Sequence, residues 1–153
     1  MAKERGRMKF STLLKEKNLL YFTWFVSLAG TFGSLYFSEI RHLAPCVLCW
    51  YQRIFLYPLV ILIPVGLMLR DKNIARYILP LSSLGLLIAL FHNLLYYGLI
   101  PEKVGPCTAG VSCTVRQIEW FGFVGIPLLS LLAFAGITCA MILIIKSQRK
   151  DRA

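Results

Sequence analysis

The sequence has few acidic residues, fewer histidines, and four long stretches with no charged side chain. Seven Asp and Glu stand against seventeen Lys and Arg, giving a net charge of +10, and histidine occurs twice. No glycine-rich dinucleotide fingerprint is present. Trp50 follows the second cysteine of the C-x-x-C pair, where c-type haem attachment needs a histidine. Soluble nucleotide cofactors and covalent haem are therefore not expected. Repeats, low-complexity tracts and linkers are also missing, so residues 1–153 read as a single domain.

The charge-free stretches set the fold class. Asn18 to Ser38, Ile54 to Leu69 and Trp120 to Ile145 contain no charged residue, and Tyr77 to Pro101 contains only His92. Each approaches or exceeds the roughly 20 apolar residues that cross a bilayer core, the second once its start is moved back towards Cys46. A soluble helical protein would show a polar face at helical period, and these stretches show almost none. The reading is an all-α membrane protein, a bundle of four transmembrane helices at about 19–38, 47–69, 76–98 and 122–145. The first is too long, and lacks the small-residue cleavage site, for a removable signal peptide, so it is expected to stay as an anchor.

Positive charge flanking membrane helices sets their orientation. Lys3, Arg5, Arg7, Lys9, Lys15 and Lys17 precede the first helix, Arg70, Lys72 and Arg76 lie between the second and third, and Lys146, Arg149, Lys150 and Arg152 end the chain. The other two loops hold only Arg41, Lys103 and Arg116. Both termini are expected in the cytoplasm. Tyr36, Trp50, Tyr51, Tyr96, Tyr97 and Trp120 then fall near the outer ends of helices, where amphipathic rings prefer to sit. The basic tails, with attraction to anionic lipid as a by-product, carry no recognition motif or interleaved aromatics, so nucleic acid is not an expected partner.

In that orientation four of the five cysteines face an extracytoplasmic space, where thiols tend to become disulfides. Cys139 alone falls within a helix, as a small buried apolar residue. Cys46 and Cys49 stand at the mouth of the second helix in "PCVLCWYQR". Such a pair is a redox dithiol or half of a metal site. Its position favours redox chemistry, because Pro45 suits a helix start and Cys49 then meets the positive end of the helix dipole. Arg53 lies at i+4 on the same face as Cys49, roughly 6 Å deeper, and favours its thiolate unless it snorkels to the surface.

Cys107 and Cys113 lie in the turn-rich "GPCTAGVSC" and could be a structural staple or a second exchanging pair. The following "TVRQIEWFGF" fits a short amphipathic helix on the outer membrane surface, or a plain polar connector. A redox relay needs an electron acceptor, and a quinone in the bilayer requires only an apolar cleft with a few polar groups. His92, roughly 22 Å along the third helix from Tyr77, reaches a depth similar to that of Arg53. The two make a candidate quinone site, with Asn93 nearby.

"PCVLCWYQR", the later cysteine pair and four helices in a chain of this length resemble the DsbB/BdbC family of disulfide bond formation proteins. The five-residue gap between Cys107 and Cys113 resembles its compact C-type branch. The resemblance implies a multi-pass cell-membrane thiol:quinone oxidoreductase with menaquinone or ubiquinone as acceptor and no soluble nucleotide cofactor, and no metal is expected. Its expected partner is a secreted or periplasmic thioredoxin-fold thiol oxidase of the DsbA/BdbD type. It further implies that Cys107 forms a mixed disulfide with that partner and Cys113 resolves it. Cys46 would exchange with the loop pair, Cys49 would meet the quinone, and Arg53, with His92, would hold the quinone. Rival readings are a vitamin K epoxide reductase-like enzyme, in which the quinone-proximal C-x-x-C comes after the loop pair, and a non-enzymatic metal-binding membrane subunit.

Overall fold

The computed structural model describes residues 2–101, 119–120 and 124–150. Four helices follow one another: α1 (Ala2–Leu35), α2 (Val47–Met68), α3 (Ile74–Tyr96) and α4 (Ile126–Lys150). All four contain a segment long and apolar enough to cross a membrane, running Lys15–Ile40 in the first. Packing runs α1 on α2, α2 on α3, α3 on α4 and α4 back on α1, so the helices close a ring around one core. Leu59, Ile63, Ile78, Phe134, Ile137 and Met141 are buried in it. Large apolar side chains such as Phe25, Ile61, Leu87 and Leu132 point outward, as the contact with lipid requires.

The helix ends depend on local chemistry. α1 starts at Ala2, far before the apolar stretch, because Lys, Arg, Glu and Met propagate a helix well without any apolar face. It closes in one wide π-helical turn, Tyr36–Ile40. α3 ends in a Schellman motif. Gly98 adopts φ +74°, and the amides of Gly98 and Leu99 close on the carbonyls of Leu95 and Leu94. α2 ends the same way with Arg70 at φ 51°, its amide on Leu67 and that of Asp71 on Gly66.

β1 (Glu119–Trp120) pairs antiparallel with β2 (Val124–Gly125) just before α4. The amphipathic helix expected in this loop falls largely on residues 114–118 and 121–123, which lie outside the described residues. Glu119–Trp120 are extended, and the strand pairing delays the start of α4 to Ile126, with Pro127 in its first turn.

Prolines inside a membrane helix free carbonyls that must find another donor. Pro64 cannot bond the carbonyl of Val60, and the Trp24 indole N–H of α1 does so instead at 3.1 Å. The buried hydroxyls of Thr23 and Ser27 are satisfied within α1, on the carbonyls of Leu19 and Thr23. α3 and α4 pack tightly at Gly85, where an added Cβ would overlap the ring of Phe134.

Candidate active site

The site gathers where α2 and α4 begin and α1 and α3 end. Cys46 is the N-cap of α2, with φ −69° and ψ 167°, and its sulfur accepts from the Cys49 amide at 3.4 Å. A sulfur here does the work usually given to a Ser or Asp oxygen. The cap places the two sulfurs 2.9 Å apart, both as free cysteines, and either can donate to the other. Cys46 is buried against Leu48 and Leu95, while Cys49 is half-buried.

His92 projects from the last turns of α3 onto this pair. Its Nε2 lies 3.8 Å from Cys46 Sγ, and its Nδ1 lies 3.2 Å from the Gln52 amide nitrogen. With Gln52 donating to Nδ1, the ring proton sits on Nε2 and faces the sulfur. The hydrogen bond from Cys49, followed by the one from His92, outweighs burial and brings the Cys46 thiol down to about 4. Cys46, Cys49 and His92 bring their ligand atoms within 4.8 Å of one another, so they are also the one group able to hold a metal ion among the described residues.

Arg53 turns towards α1. Its Nη2 donates to the Ser34 carbonyl at 3.2 Å, near the negative end of the α1 dipole, and its guanidinium carbon lies 5.3 Å from the centre of the Trp50 ring. Its Nε is buried with no partner among the described residues. The arginine is thus held between helices rather than snorkelling to the surface.

A cleft of about 380 Å³ opens between α1, α2 and the first half of α4. That volume lies in the range of small-molecule sites. Phe25, Phe37, Leu56, Leu129 and Phe134 supply apolar wall, and Cys49, Gln52, Arg53, Ser34 and Ser130 the polar points.

The structure therefore brings Cys46, Cys49 and His92 together, and sets Cys49 and Arg53 on one cleft wall. His92 stands on the far side of Gln52, against Cys46. Asn93 ties α3 to α4, donating to the carbonyls of Ala89 and Pro127 at 2.7 Å each. Cys107 and Cys113 lie outside the described residues. Cys139, expected to be buried, is exposed on the flank of α4, because it falls between the buried Thr138 and Ala140 on the outward side of the helix. Gln52 is the residue that sequence reasoning passed over. Its signal was a side-chain amide three residues after Cys49, the only one in α2.

Comparison with known proteins identifies the family. The family of the disulfide bond formation protein DsbB matches residues 16–144. A "Probable disulfide formation protein C 1" of Bacillus anthracis is 42% identical over 134 residues, 88% of this chain and 96% of that one. The "Disulfide bond formation protein C" of Bacillus subtilis (strain 168) is 43% identical over 125 residues, 82% of this chain and 91% of its own. A "Probable disulfide formation protein" of Deinococcus radiodurans is 44% identical over 125 residues, covering 76% of this chain and 81% of the relative. No solved structure matches. The chain belongs to the DsbB family of disulfide bond formation proteins, and is a multi-pass membrane protein with a disulfide-generating role.

Proposed function

We propose that this member of the disulfide bond formation family oxidises an extracytoplasmic thioredoxin-fold thiol oxidase and passes the two electrons to a membrane quinone. In balance, two thiols and a quinone give one disulfide and a quinol, with both thiol protons ending on the quinone oxygens. A thiolate of the reduced partner attacks Cys107 of a Cys107–Cys113 disulfide and releases the Cys113 thiolate, and the partner's second thiol then displaces Cys107, which leaves the partner oxidised and the loop pair reduced. The loop pair then exchanges with Cys46, and Cys49 faces the quinone. Both termini face the cytoplasm, which puts the cysteine pairs on the outer side of the cell membrane.

The observation that carries the reading is one shared wall. Cys49, Gln52 and Arg53 line the same apolar cleft, and Arg53 brings to it a buried Nε with no partner among the described residues. An unpaired donor in an apolar cleft beside a thiol suits a carbonyl acceptor such as a quinone oxygen. Quinone supplies the oxidising equivalents when bound. The chain's own residues orient it beside Cys49 and hold the Cys46 thiolate. His92, against Cys46 and behind Gln52, then serves the cysteine pair rather than gripping the quinone directly.

The test uses the full chain in lipid nanodiscs with a reduced thioredoxin-fold oxidase and a soluble quinone. Quinone reduction is expected in the wild type and is expected to vanish in both Cys49→Ala and Cys107→Ala. Equal rates in all three would remove the relay.

A further inference from the structure

We infer that the dithiol form of this chain has a three-ligand site for a thiophilic divalent cation of the zinc type, made by Cys46 Sγ, Cys49 Sγ and His92 Nε2. The three ligand atoms lie within 4.8 Å of one another, with the two sulfurs 2.9 Å apart and Cys46 Sγ 3.8 Å from Nε2. Tetrahedral zinc, with bonds of about 2.3 Å to sulfur and about 2.0 Å to nitrogen, needs roughly 3.8 Å between sulfurs and roughly 3.6 Å from sulfur to nitrogen. The Cys46–His92 edge already has nearly that length. The sulfurs need to part by about 0.9 Å, a small side-chain rotation for Cys49 in the first turn of α2.

The surroundings suit such an ion. Gln52 holds the other nitrogen of His92 at 3.2 Å, the position of the outer partner that orients most metal-bound imidazoles. With its amide turned over, the Gln52 oxygen accepts from Nδ1–H and leaves Nε2 free to bind metal. The neighbouring cation, Arg53, is occupied with Ser34 and Trp50. Cys49 lines the cleft, so a fourth position there is open to water.

Binding replaces the remaining thiol protons with one cation and involves no electron transfer. A Cys46–Cys49 disulfide has no thiolates to offer, so the site exists only in the reduced state and metal holds the pair there. The inference rests on the cysteine–histidine geometry and stands whether or not the acceptor is a quinone.

The test is a cadmium titration of the full chain in nanodiscs, with Cys107→Ser, Cys113→Ser and Cys139→Ser, reduced and then freed of reductant. Sulfur-to-cadmium ultraviolet absorption is expected to saturate at one ion per chain. It is expected to be absent after oxidation with diamide, and lost on adding Cys46→Ser or Cys49→Ser. His92→Ala is expected to weaken binding at least about tenfold, the loss that even an outer partner of a ligand causes. X-ray absorption of the zinc-loaded chain with His92 in place is expected to give two sulfurs at about 2.3 Å and one protein nitrogen at about 2.0 Å. No uptake, uptake by the oxidised chain, or a shell with no histidine nitrogen would each overturn the proposal.

Discussion

The side-chain amide of Gln52 lies 3.2 Å from Nδ1 of His92, and so joins the wall of the cleft to the sulfur of Cys46. Removing the amide leaves His92 buried with one ring nitrogen unpaired, which costs about 1–3 kcal/mol. Gln52→Leu is therefore expected to slow electron transfer from the cysteine pair about tenfold or more, with quinone KM changing less. Gln52→Glu, which can still pair with the ring, is expected to recover part of the rate and to shift the pH profile. Stopped-flow quinone reduction across pH in the three proteins checks this, and superimposable profiles would contradict it.

Cys46 is held down to about 4 by the Cys49 hydrogen bond and by His92. In the reduced protein it is expected to remain a thiolate through pH 6, where an ordinary thiol of pKa about 8.5 is almost wholly protonated. The linkage has a definite sign. The folded value lies below the unfolded one, so the contribution to reduced-state stability is complete above the unfolded thiol pKa. It declines as pH falls and is gone once pH passes below about 4. Alkylation of Cys46 as a function of pH, followed by mass spectrometry, gives the midpoint. His92→Ala is expected to move it upward.

Arg53 is fixed by a planar fork, with one nitrogen on Ser34 and the guanidinium against Trp50. Arg53→Ala is expected to raise quinone KM about tenfold or more while leaving thiol exchange between the cysteine pairs nearly intact. Arg53→Lys should fall between, since lysine keeps the charge and loses the fork. Equal losses of exchange and of quinone use in Arg53→Ala would mean that the arginine supports the fold of the site instead.

Gly85 leaves room for the Phe134 ring, which is buried in the core and also lines the cleft. Gly85→Ala is expected to push that ring towards the cleft and to destabilise the bundle by about 1–3 kcal/mol, the usual cost of overpacking. Thermal unfolding and quinone KM measured on the same sample should both change. An unchanged melting curve would show that α3 and α4 part without cost.

The four helices were legible because their charge-free stretches admit little else. Their ends were less so. Nothing in the apolar pattern announces that α1 begins at Ala2, since its first turns are rich in charged residues of good helix propensity and precede the apolar stretch. The start of α4 depends on Glu119–Trp120 pairing with Val124–Gly125, a backbone contact that no side-chain period encodes. At the site, the Cys46–Cys49 juxtaposition follows from spacing on one helix. The partner of His92 does not, because it is set by how α3 is rotated against α2, and a rotation of one residue would have faced the ring elsewhere. The same rotation decides that Asn93 braces α4 and that His92 meets Gln52.

The N-cap of α2 is a sulfur that titrates and can change oxidation state. A thiolate is a strong acceptor for the Cys49 amide, and a disulfide sulfur a weak one. The first turn of α2 should therefore tighten when the pair is reduced and fray when it is oxidised. Hydrogen–deuterium exchange at the Cys49 amide would read the electron load of the protein directly from its backbone.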